Sequence, residues 1–262
     1  MPFAEINGQR LFYEDSGGDG PPVLFSHGFL MDHSMFDPQV EALAPDFRCI
    51  RWDERGFGQS EFDGNDFTYW DSADDALALL DHLGVPAATL AGMSQGGFLS
   101  MRAALAHPDR VTALVLIDTQ SGCEDPAVLE GYRAMTEDWL QHGPANVGQV
   151  VAGLIIGDPG IEPTWLTKWE SLPRAHMAPA SACLYDRDDI TDRLHEITCP
   201  ALVVHGTADQ AIPMDKAEQL CELLGDCRGL IKVEGAAHAA NLTHPDQVNG
   251  PLRDFLHAVT AA

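Results

Sequence analysis

Short apolar runs alternate with longer amphipathic segments along most of the chain, and this alternation limits the folds open to it. Val23–Ser26 and Val111–Ile117 have the length and composition of buried strands. Segments such as Ser72–Leu83 place apolar residues on one face of a helix. Because strands that alternate with helices form βαβ units, we predict an α/β fold with a mostly parallel sheet covered by helices on both faces. The exception is Phe3–Tyr13, whose central Asn-Gly pair predicts a hairpin.

The alternation breaks between residues 119 and 190, where the sequence shows no strand-like run but many helix-forming residues. A loop of that length without secondary structure is uncommon inside a compact domain. We therefore predict that residues 119–190 form a helical cap, or lid, inserted into an α/β core. The core then comprises residues 1–118 and 191–262.

The charge balance argues against several classes of partner. The chain has 40 acidic side chains against 15 Lys and Arg, which gives a formal net charge of −25. Such a protein is repelled by nucleic acids and by anionic membrane surfaces. The sequence has no apolar run long enough to span a membrane, and its first residues lack the basic and apolar regions of a secretion signal. We therefore predict a cytoplasmic protein without nucleic-acid or membrane partners.

Six cysteines are scattered along the chain, and none of them forms a C-x-x-C pair. In a chain of this length, that distribution indicates free thiols in a reducing compartment. The spacing also argues against a zinc site, and we predict neither a metal nor an organic cofactor.

The pentapeptide Gly92–Gly96 has the pattern G-x-S-x-G and lies between a predicted strand and a predicted helix. In a nucleophile elbow, this pattern turns the chain so sharply that the serine is lifted out of the sheet in a strained backbone conformation. The flanking glycines allow the strand and the helix to approach closely. We therefore predict that Ser94 is a nucleophile at the end of a strand.

A serine hydroxyl needs a general base, normally a histidine that is oriented by a carboxylate. His238 follows the last predicted strand, and Asp209 follows the strand before it. Because the carboxyl ends of neighbouring parallel strands converge on one crevice, we predict Ser94, His238 and Asp209 as the catalytic residues. Asp118, at the end of the Val111–Ile117 strand, is the rival for the role of the acid.

The same chemistry needs two backbone N–H groups to bind the oxyanion of a tetrahedral intermediate. Gln95, the residue after the nucleophile, is predicted to supply one of them. Phe29, in the loop after the Val23–Ser26 strand, is predicted to supply the other. His27 is expected to order this loop without a catalytic role.

Six segments of the chain resemble motifs of the α/β-hydrolase superfamily and occur in the same order. They are His27–Phe29, Asp53–Ser60, Gly92–Gly97, His107–Val111, Gly206–Pro213 and Gly235–His238. Within the superfamily, the chain is most similar to the small esterase and lactonase branch, which includes the 3-oxoadipate enol-lactonases. The resemblance implies an eight-stranded, mostly parallel sheet flanked by helices, with a helical cap and a Ser-His-Asp triad. Relatives that dehalogenate alkanes or open epoxides carry Asp at the elbow, so Ser94 argues against those activities.

A substrate pocket is expected under the cap, because the insertion is rich in large apolar side chains. We predict Trp139, Trp165 and Trp169 as substrate contacts, with Met135 and Met177 beside them.

Most of the arginines in or near this region are expected to be solvated partners of nearby acids such as Asp186 and Asp188. They are Arg133, Arg174, Arg187 and Arg193. Because the acidic chain also repels anions at long range, we predict a neutral ester or lactone as the substrate.

These features predict a serine hydrolase that cleaves small to medium carboxylic esters or lactones through an acyl-enzyme. Activity is then expected to rise with pH as His238 loses its proton, near pH 6.5 for an unperturbed histidine. Two alternatives use the same three residues: a cofactor-free perhydrolase, which passes the acyl group to peroxide, and a hydrolase of carbon–carbon bonds. A third alternative is a small-ligand receptor with slow turnover.

Overall fold

The structure, a computed structural model, describes residues 2–261. Its strands are β1 (Phe3–Ile6), β2 (Gln9–Asp15), β3 (Pro22–Ser26), β4 (Arg48–Trp52), β5 (Ala88–Met93), β6 (Val111–Ile117), β7 (Ala201–Gly206) and β8 (Cys227–Val233). They form one eight-stranded sheet in the order β1-β2-β4-β3-β5-β6-β7-β8. β2 is antiparallel to both of its neighbours, and the other neighbouring pairs are parallel. The fold is therefore the predicted α/β-hydrolase fold.

The α-helices are α1 (Asp37–Leu43), α2 (Tyr69–His82), α3 (Gln95–Ala106), α4 (Pro126–His142), α5 (Gly148–Ile155), α6 (Glu162–Glu170), α7 (Arg174–Tyr185), α8 (Met214–Leu223), α9 (Ala240–Thr243) and α10 (Pro245–Thr260). Helices α2, α3 and α8 pack on one face of the sheet, and α1 and α10 pack on the other. The side chains of β6 divide accordingly, with Leu114 and Leu116 on the first face and Val115 and Ile117 on the second. Within residues 2–261, every helix is too short or too polar to span a bilayer.

The boundaries of the core elements follow the sequence pattern with two informative differences. Helix α3 begins at Gln95, whereas its apolar periodicity suggests a start at Phe98, because the chain passes from strand to helix through a single residue. Helix α1 (Asp37–Leu43) has only seven residues, which is too short for a clear helical period. β6, in contrast, has the bounds that its apolar run predicts.

Four α-helices, α4 to α7, lie between β6 and β7, within the residues predicted to form the cap. Helix α6 contacts the segment that follows β3, here called the β3 loop (residues 27–32). Trp169 Nε1 donates a hydrogen bond to the Leu30 carbonyl at 2.6 Å, and Lys168 Nζ lies 2.7 Å from Asp32 Oδ2. The helices are thus tied to the core by directional contacts, while the division of the chain into cap and core domains stays a prediction.

Two cysteines depart from the prediction of free thiols. Cys221 in α8 and Cys227 at the start of β8 form a disulfide, with their Cα atoms 5.2 Å apart. The prediction was wrong for this pair because the turn between the helix and the strand places the two residues side by side, and no sequence motif marks that geometry. The other four cysteines carry free thiols.

Candidate active site

Ser94 occupies the turn between β5 and α3 with a backbone conformation that few non-glycine residues adopt, φ 51° and ψ −115°. The turn depends on its two glycines. A Cβ atom at Gly92 would lie 2.1 Å from the Gly96 carbonyl oxygen, and one at Gly96 would lie 1.9 Å from the Ser26 carbonyl oxygen. The G-x-S-x-G pattern therefore has a steric cause, and it presents the serine hydroxyl beyond the end of the sheet.

A chain of hydrogen bonds joins the three predicted catalytic side chains. Ser94 Oγ lies 3.0 Å from His238 Nε2, and His238 Nδ1 lies 2.7 Å from Asp209 Oδ2. Asp209 follows β7, and His238 follows β8, so neighbouring strand ends supply both. The other Asp209 oxygen accepts the backbone N–H groups of Ala211 and Ile212 at 2.8 and 3.0 Å. The carboxylate is thus fixed on one side by its own loop and faces the imidazole on the other.

Burial and charge act against each other on this pair. Burial lowers the pKa of His238, but the Asp209 carboxylate, together with the charges of Asp118 and Glu124, outweighs burial, and the pKa of His238 is raised. Burial raises the pKa of Asp209, but His238, together with the Ile212 N–H and His205, outweighs burial, and the pKa of Asp209 is lowered. The arrangement therefore favours an ionised Asp209 and stabilises the imidazolium form of His238.

Asp118, the rival acid, lies at the end of β6 but makes a different set of contacts. Its two carboxylate oxygens accept the N–H groups of Gly206 and Ala240, at 2.8 and 2.9 Å. Gly206 precedes the Asp209 loop, and Ala240 follows His238 by two residues. Burial, reinforced by the charge of Asp209, raises the pKa of Asp118 to about 8. Asp118 therefore joins the two loops, and Asp209 is the acid that hydrogen-bonds to His238.

The predicted oxyanion donors lie on both sides of Ser94. Gln95 is the first residue of α3, so its N–H has no acceptor within the helix. In the part of the chain that the structure describes, neither Gln95 nor Phe29 donates its N–H to a backbone carbonyl outside regular secondary structure. His27 Nδ1 lies 2.8 Å from the carbonyl oxygen of Gly28, which belongs to the same peptide unit as the Phe29 N–H. The imidazole thus orients this peptide, in agreement with the ordering role expected for His27.

A mostly apolar cavity opens above Ser94 and His238, between the strand ends and the inserted helices. Its lining includes Phe29, Leu30, Met93, Phe98, Tyr132, Met135, Trp139, Val151, Leu154, Ile155, Met177, Leu184, Tyr185 and Ile212. Of the three tryptophans predicted to contact substrate, the structure brings only Trp139 to this cavity. Trp165 lies beside the Lys168 ammonium, and Trp169 faces the β3 loop. Helical periodicity cannot distinguish these positions, because all three rings are buried.

The cavity also contains a charged group that the sequence pattern did not indicate. Glu124 is part of the lining, and its carboxylate is paired at 2.7 Å with Arg187, whose side chain is 1% exposed. The Arg187 guanidinium also lies 4.3 Å from the centre of the Phe98 ring. Arg187 is therefore an exception to the solvated state expected for most of these arginines, because the distant residue Glu124 pairs with it in the interior. Arg133, in contrast, pairs with Asp186 at the surface as expected.

Comparisons with known proteins agree with this architecture. Residues 21–159 match the family described as alpha/beta hydrolase fold. A non-heme chloroperoxidase of Streptomyces lividans is 32% identical over 271 residues, which cover 95% of this chain and 97% of that protein. The 3-oxoadipate enol-lactonase 2 of Acinetobacter baylyi is 25% identical over 250 residues, covering 93% and 88%. The solved structure of a thermophilic esterase from Thermogutta terrifontis has a TM-score of 0.89 at 29% identity and covers 99% and 97% of the two chains.

The match covers more than half of the chain, and the similarity to relatives extends over nearly its full length. The order of the strands and the position of the elbow are those expected for this fold. The chain therefore belongs to the α/β-hydrolase superfamily.

Proposed function

We propose that the protein is a serine hydrolase that cleaves small to medium carboxylic esters or lactones. The observation that carries this proposal is the continuous hydrogen-bonded series Ser94–His238–Asp209, whose serine end opens into an apolar cavity. Such a series converts a weak hydroxyl nucleophile into a reactive one. A purely structural role gives no reason for a strained serine at the cavity floor.

The reaction follows from the positions of these groups. Ser94 Oγ attacks the substrate carbonyl carbon while its proton passes to His238 Nε2. Asp209 holds the imidazole and stabilises its charged form, and the N–H groups of Phe29 and Gln95 bind the oxyanion. The tetrahedral intermediate collapses as His238 gives the proton to the departing alcohol oxygen, which leaves an acyl-enzyme. Water then attacks the acyl carbon, with His238 as the base, and releases the acid and free Ser94.

The cavity supports a neutral, apolar acyl group. Apolar side chains dominate its lining, and Glu124 and Arg187, which lie together at its edge, neutralise each other. Arg187 also donates to the carbonyl oxygens of Gly122 and Leu184, so its donors are already engaged. An anionic acyl chain would enter without a free cation to receive it. We therefore propose monocarboxylic esters or lactones over dicarboxylic ones.

Hydrolysis of p-nitrophenyl acetate, butyrate and octanoate tests the proposal. We expect steady turnover by the wild type and a loss of about 10⁴-fold or more in kcat for Ser94→Ala. Ser100→Ala, a buried serine further along α3, is the matched control and is expected to keep wild-type rates. A folded wild type without turnover on all three esters would refute the esterase proposal. Release that stops after about one event per molecule would favour the slow receptor instead.

Perhydrolysis is the second candidate, because a relative at 32% identity is named a non-heme chloroperoxidase. On the same residues, hydrogen peroxide would replace water as the nucleophile that attacks the acyl-enzyme, giving a peracid and free Ser94. Peroxide-dependent halogenation of a dye, in a carboxylic acid buffer with bromide, tests this activity. It should disappear in Ser94→Ala together with ester hydrolysis.

We also propose a cytoplasmic location, and the disulfide between Cys221 and Cys227 argues against it. Disulfides are rare in reducing compartments. Alkylation during denaturation of protein isolated from its own cells would decide the matter, because Cys49 and Cys183 are buried in the folded chain. Six alkylated thiols per chain support a cytoplasmic protein, whereas four support an oxidising compartment.

A further inference from the structure

A fully buried acid, Glu54, lies between the two segments that carry the proposed oxyanion donors. Its side chain is enclosed among polar partners and is 1% exposed. Glu54 Oε2 accepts a hydrogen bond from Gln95 Nε2 at 2.6 Å, and Glu54 Oε1 is bonded to the Ser72 hydroxyl. None of the steps of ester hydrolysis uses this carboxyl group. Burying an acid costs folding free energy unless its oxygen atoms are hydrogen-bonded.

The backbone of the same residue reaches the other donor. The Glu54 N–H donates to His27 Nε2 at 3.0 Å, and His27 Nδ1 in turn lies 2.8 Å from the Gly28 carbonyl oxygen. That carbonyl shares a rigid peptide plane with the Phe29 N–H. Residue 54 is therefore connected through its backbone to one proposed oxyanion donor and through its side chain to the other.

The amide of Gln95 is held at both ends. Besides the bond from its Nε2 to Glu54, its Oε1 accepts a hydrogen bond from the Tyr69 hydroxyl at 3.2 Å. Gln95, Tyr69 and Glu54 are each at most 2% exposed. The first turn of α3 is thus anchored against α2 directly behind the strained Ser94.

We propose that Glu54 is a positioning residue that holds the Phe29 and Gln95 N–H groups in one hydrogen-bonded frame. This inference rests on the proposed function, because it assigns a purpose to the two donors. Oxyanion stabilisation depends on donors that are fixed before the charge develops. A frame that joins both donors fixes their separation, which neither loop could do alone.

The protonation state of Glu54 affects the same two donors. Burial raises the pKa of Glu54 to about 8, so the group is mostly neutral at pH 7 and places no negative charge beside the oxyanion. The titratable groups around it come from several elements, and they are His27, Arg55, Tyr69, Asp75 and Cys183. Arg55 and Asp75 pair with each other at 2.7 Å, which leaves Glu54 as the unpaired acid of the group.

Three variants test the frame. Glu54→Gln keeps a group that accepts from Gln95 and donates to Ser72, and we expect kcat within about threefold of wild type. Glu54→Leu and Gln95→Leu remove the link from either end, and we expect each to lower kcat about tenfold or more with KM within twofold, since loss of a whole donor costs 10²–10³. Both variants break the same Glu54–Gln95 bond, and each also removes one further bond, to Ser72 or from Tyr69. The loss in the double variant should therefore be clearly smaller than the product of the two single losses. Thr89→Val, which removes a buried hydroxyl elsewhere in β5, is the control.

A second measurement does not depend on turnover. Amide hydrogen exchange across residues 94–98 should become faster in Glu54→Leu, with a smaller increase across residues 27–31, because the Glu54 backbone N–H still reaches His27. Exchange in both segments should remain unchanged in Thr89→Val. A third measurement is the pH profile of turnover. Wild-type kcat should fall above about pH 8 as Glu54 ionises, and Glu54→Gln should remove that fall.

Defined outcomes would overturn the inference. A Glu54→Leu protein with wild-type exchange in both segments contradicts the frame, as does a double variant whose loss is the product of the two single losses. A folded wild type without esterase activity refutes the proposed function, and the exchange measurement then decides on the frame alone.

Discussion

The two walls of the cavity are built on different principles. Its floor, defined by Ser94 and His238 with Asp209 buried behind them, is a set of polar groups at strand ends, joined by hydrogen bonds of 3.0 and 2.7 Å. Its roof, defined by the lining residues of α4, α5 and α7, is mostly apolar. Hydrogen bonds demand fixed geometry, whereas apolar contacts accept many shapes of similar volume. In the proposed function, the polar floor carries out the reaction, and the shape of the apolar roof determines which substrates fit.

The inserted helices are attached to the core by polar contacts, in contrast to the apolar lining that they give the cavity. Two polar contacts are prominent: Lys168 with Asp32 and Trp169 with Leu30. Both reach the β3 loop, which also carries Phe29. Leu30 adopts a left-handed conformation, φ 62°, next to that donor. Helix α6 therefore connects the inserted helices to the loop that carries one of the proposed oxyanion donors.

The largest expected effect separates two buried acids that lie behind the floor, Asp209 and Asp118. Asp209→Asn should lower kcat about 10⁴-fold, because a carboxamide at this position favours the wrong imidazole tautomer. Asp118→Asn, the matched control, should lower kcat about tenfold, because its contacts are to backbone N–H groups and only one of its side-chain atoms could still accept. Steady-state kinetics on one ester measures both, and equal losses would contradict the assignment of Asp209.

The next effect concerns the stability of the roof. Arg187→Met should destabilise the protein by about 3–5 kcal/mol, because it leaves the Glu124 carboxylate without its buried partner. Arg193→Met removes a guanidinium whose pair with Glu196 is 44% exposed on both sides, and it should change stability by less than about 0.5 kcal/mol. Denaturant unfolding measures both values. Similar losses in the two variants would show that burial of the Arg187 pair has no special weight.

A smaller effect distinguishes the tryptophans. Trp139→Leu enlarges the cavity, so the ratio of kcat/KM for octanoate over acetate should rise about tenfold, the scale expected for added apolar contacts in a pocket. Trp165→Leu removes a ring that is equally buried but outside the cavity lining, and it should leave that ratio unchanged. The esters of the activity test serve for this comparison. A shift in Trp165→Leu of the same size would mean that the roof selects substrates through its overall packing.

The smallest effect is on pH dependence. His238 must be neutral to accept the proton of Ser94, and its pKa is raised by Asp209. Activity should therefore be low in acid and increase with pH, with a midpoint for kcat/KM above the 6.5 of an unperturbed histidine. The measurement uses a neutral ester, so that titration of the substrate does not contribute to the pH profile. A midpoint at or below 6.5 would contradict the electrostatic effect of Asp209.

The sequence was sufficient for the elements whose positions depend on local patterns. The elbow has its glycines because Cβ atoms there would collide with backbone, and β6 has an apolar run because both of its faces are covered. Asp209 and Asp118 both follow strands, so order along the chain made them rivals, and only the direction of each carboxylate distinguishes them.

The remaining features depend on contacts between distant segments. Arg187 pairs with Glu124, 63 residues away, and Trp169 contacts Leu30, 139 residues away. The Glu54–Gln95 bond likewise joins the loop after β4 to the start of α3. In each case the local sequence shows only an ordinary charged or aromatic residue. The partner is set by tertiary packing, which a pattern of 3.6 or 2 residues does not encode.

β6 and β7 are neighbours in register, with Ile117 opposite Val204, although all four inserted helices separate them along the chain. The entropy of closing such a segment grows only with the logarithm of its length, so doubling the segment adds only about 0.6 kcal/mol. A change in the length of the segment between these two strands therefore costs the sheet little in loop-closure entropy. In evolution, this lineage could acquire new specificities by rewriting one continuous stretch of the gene, while inheriting its reaction chemistry unchanged.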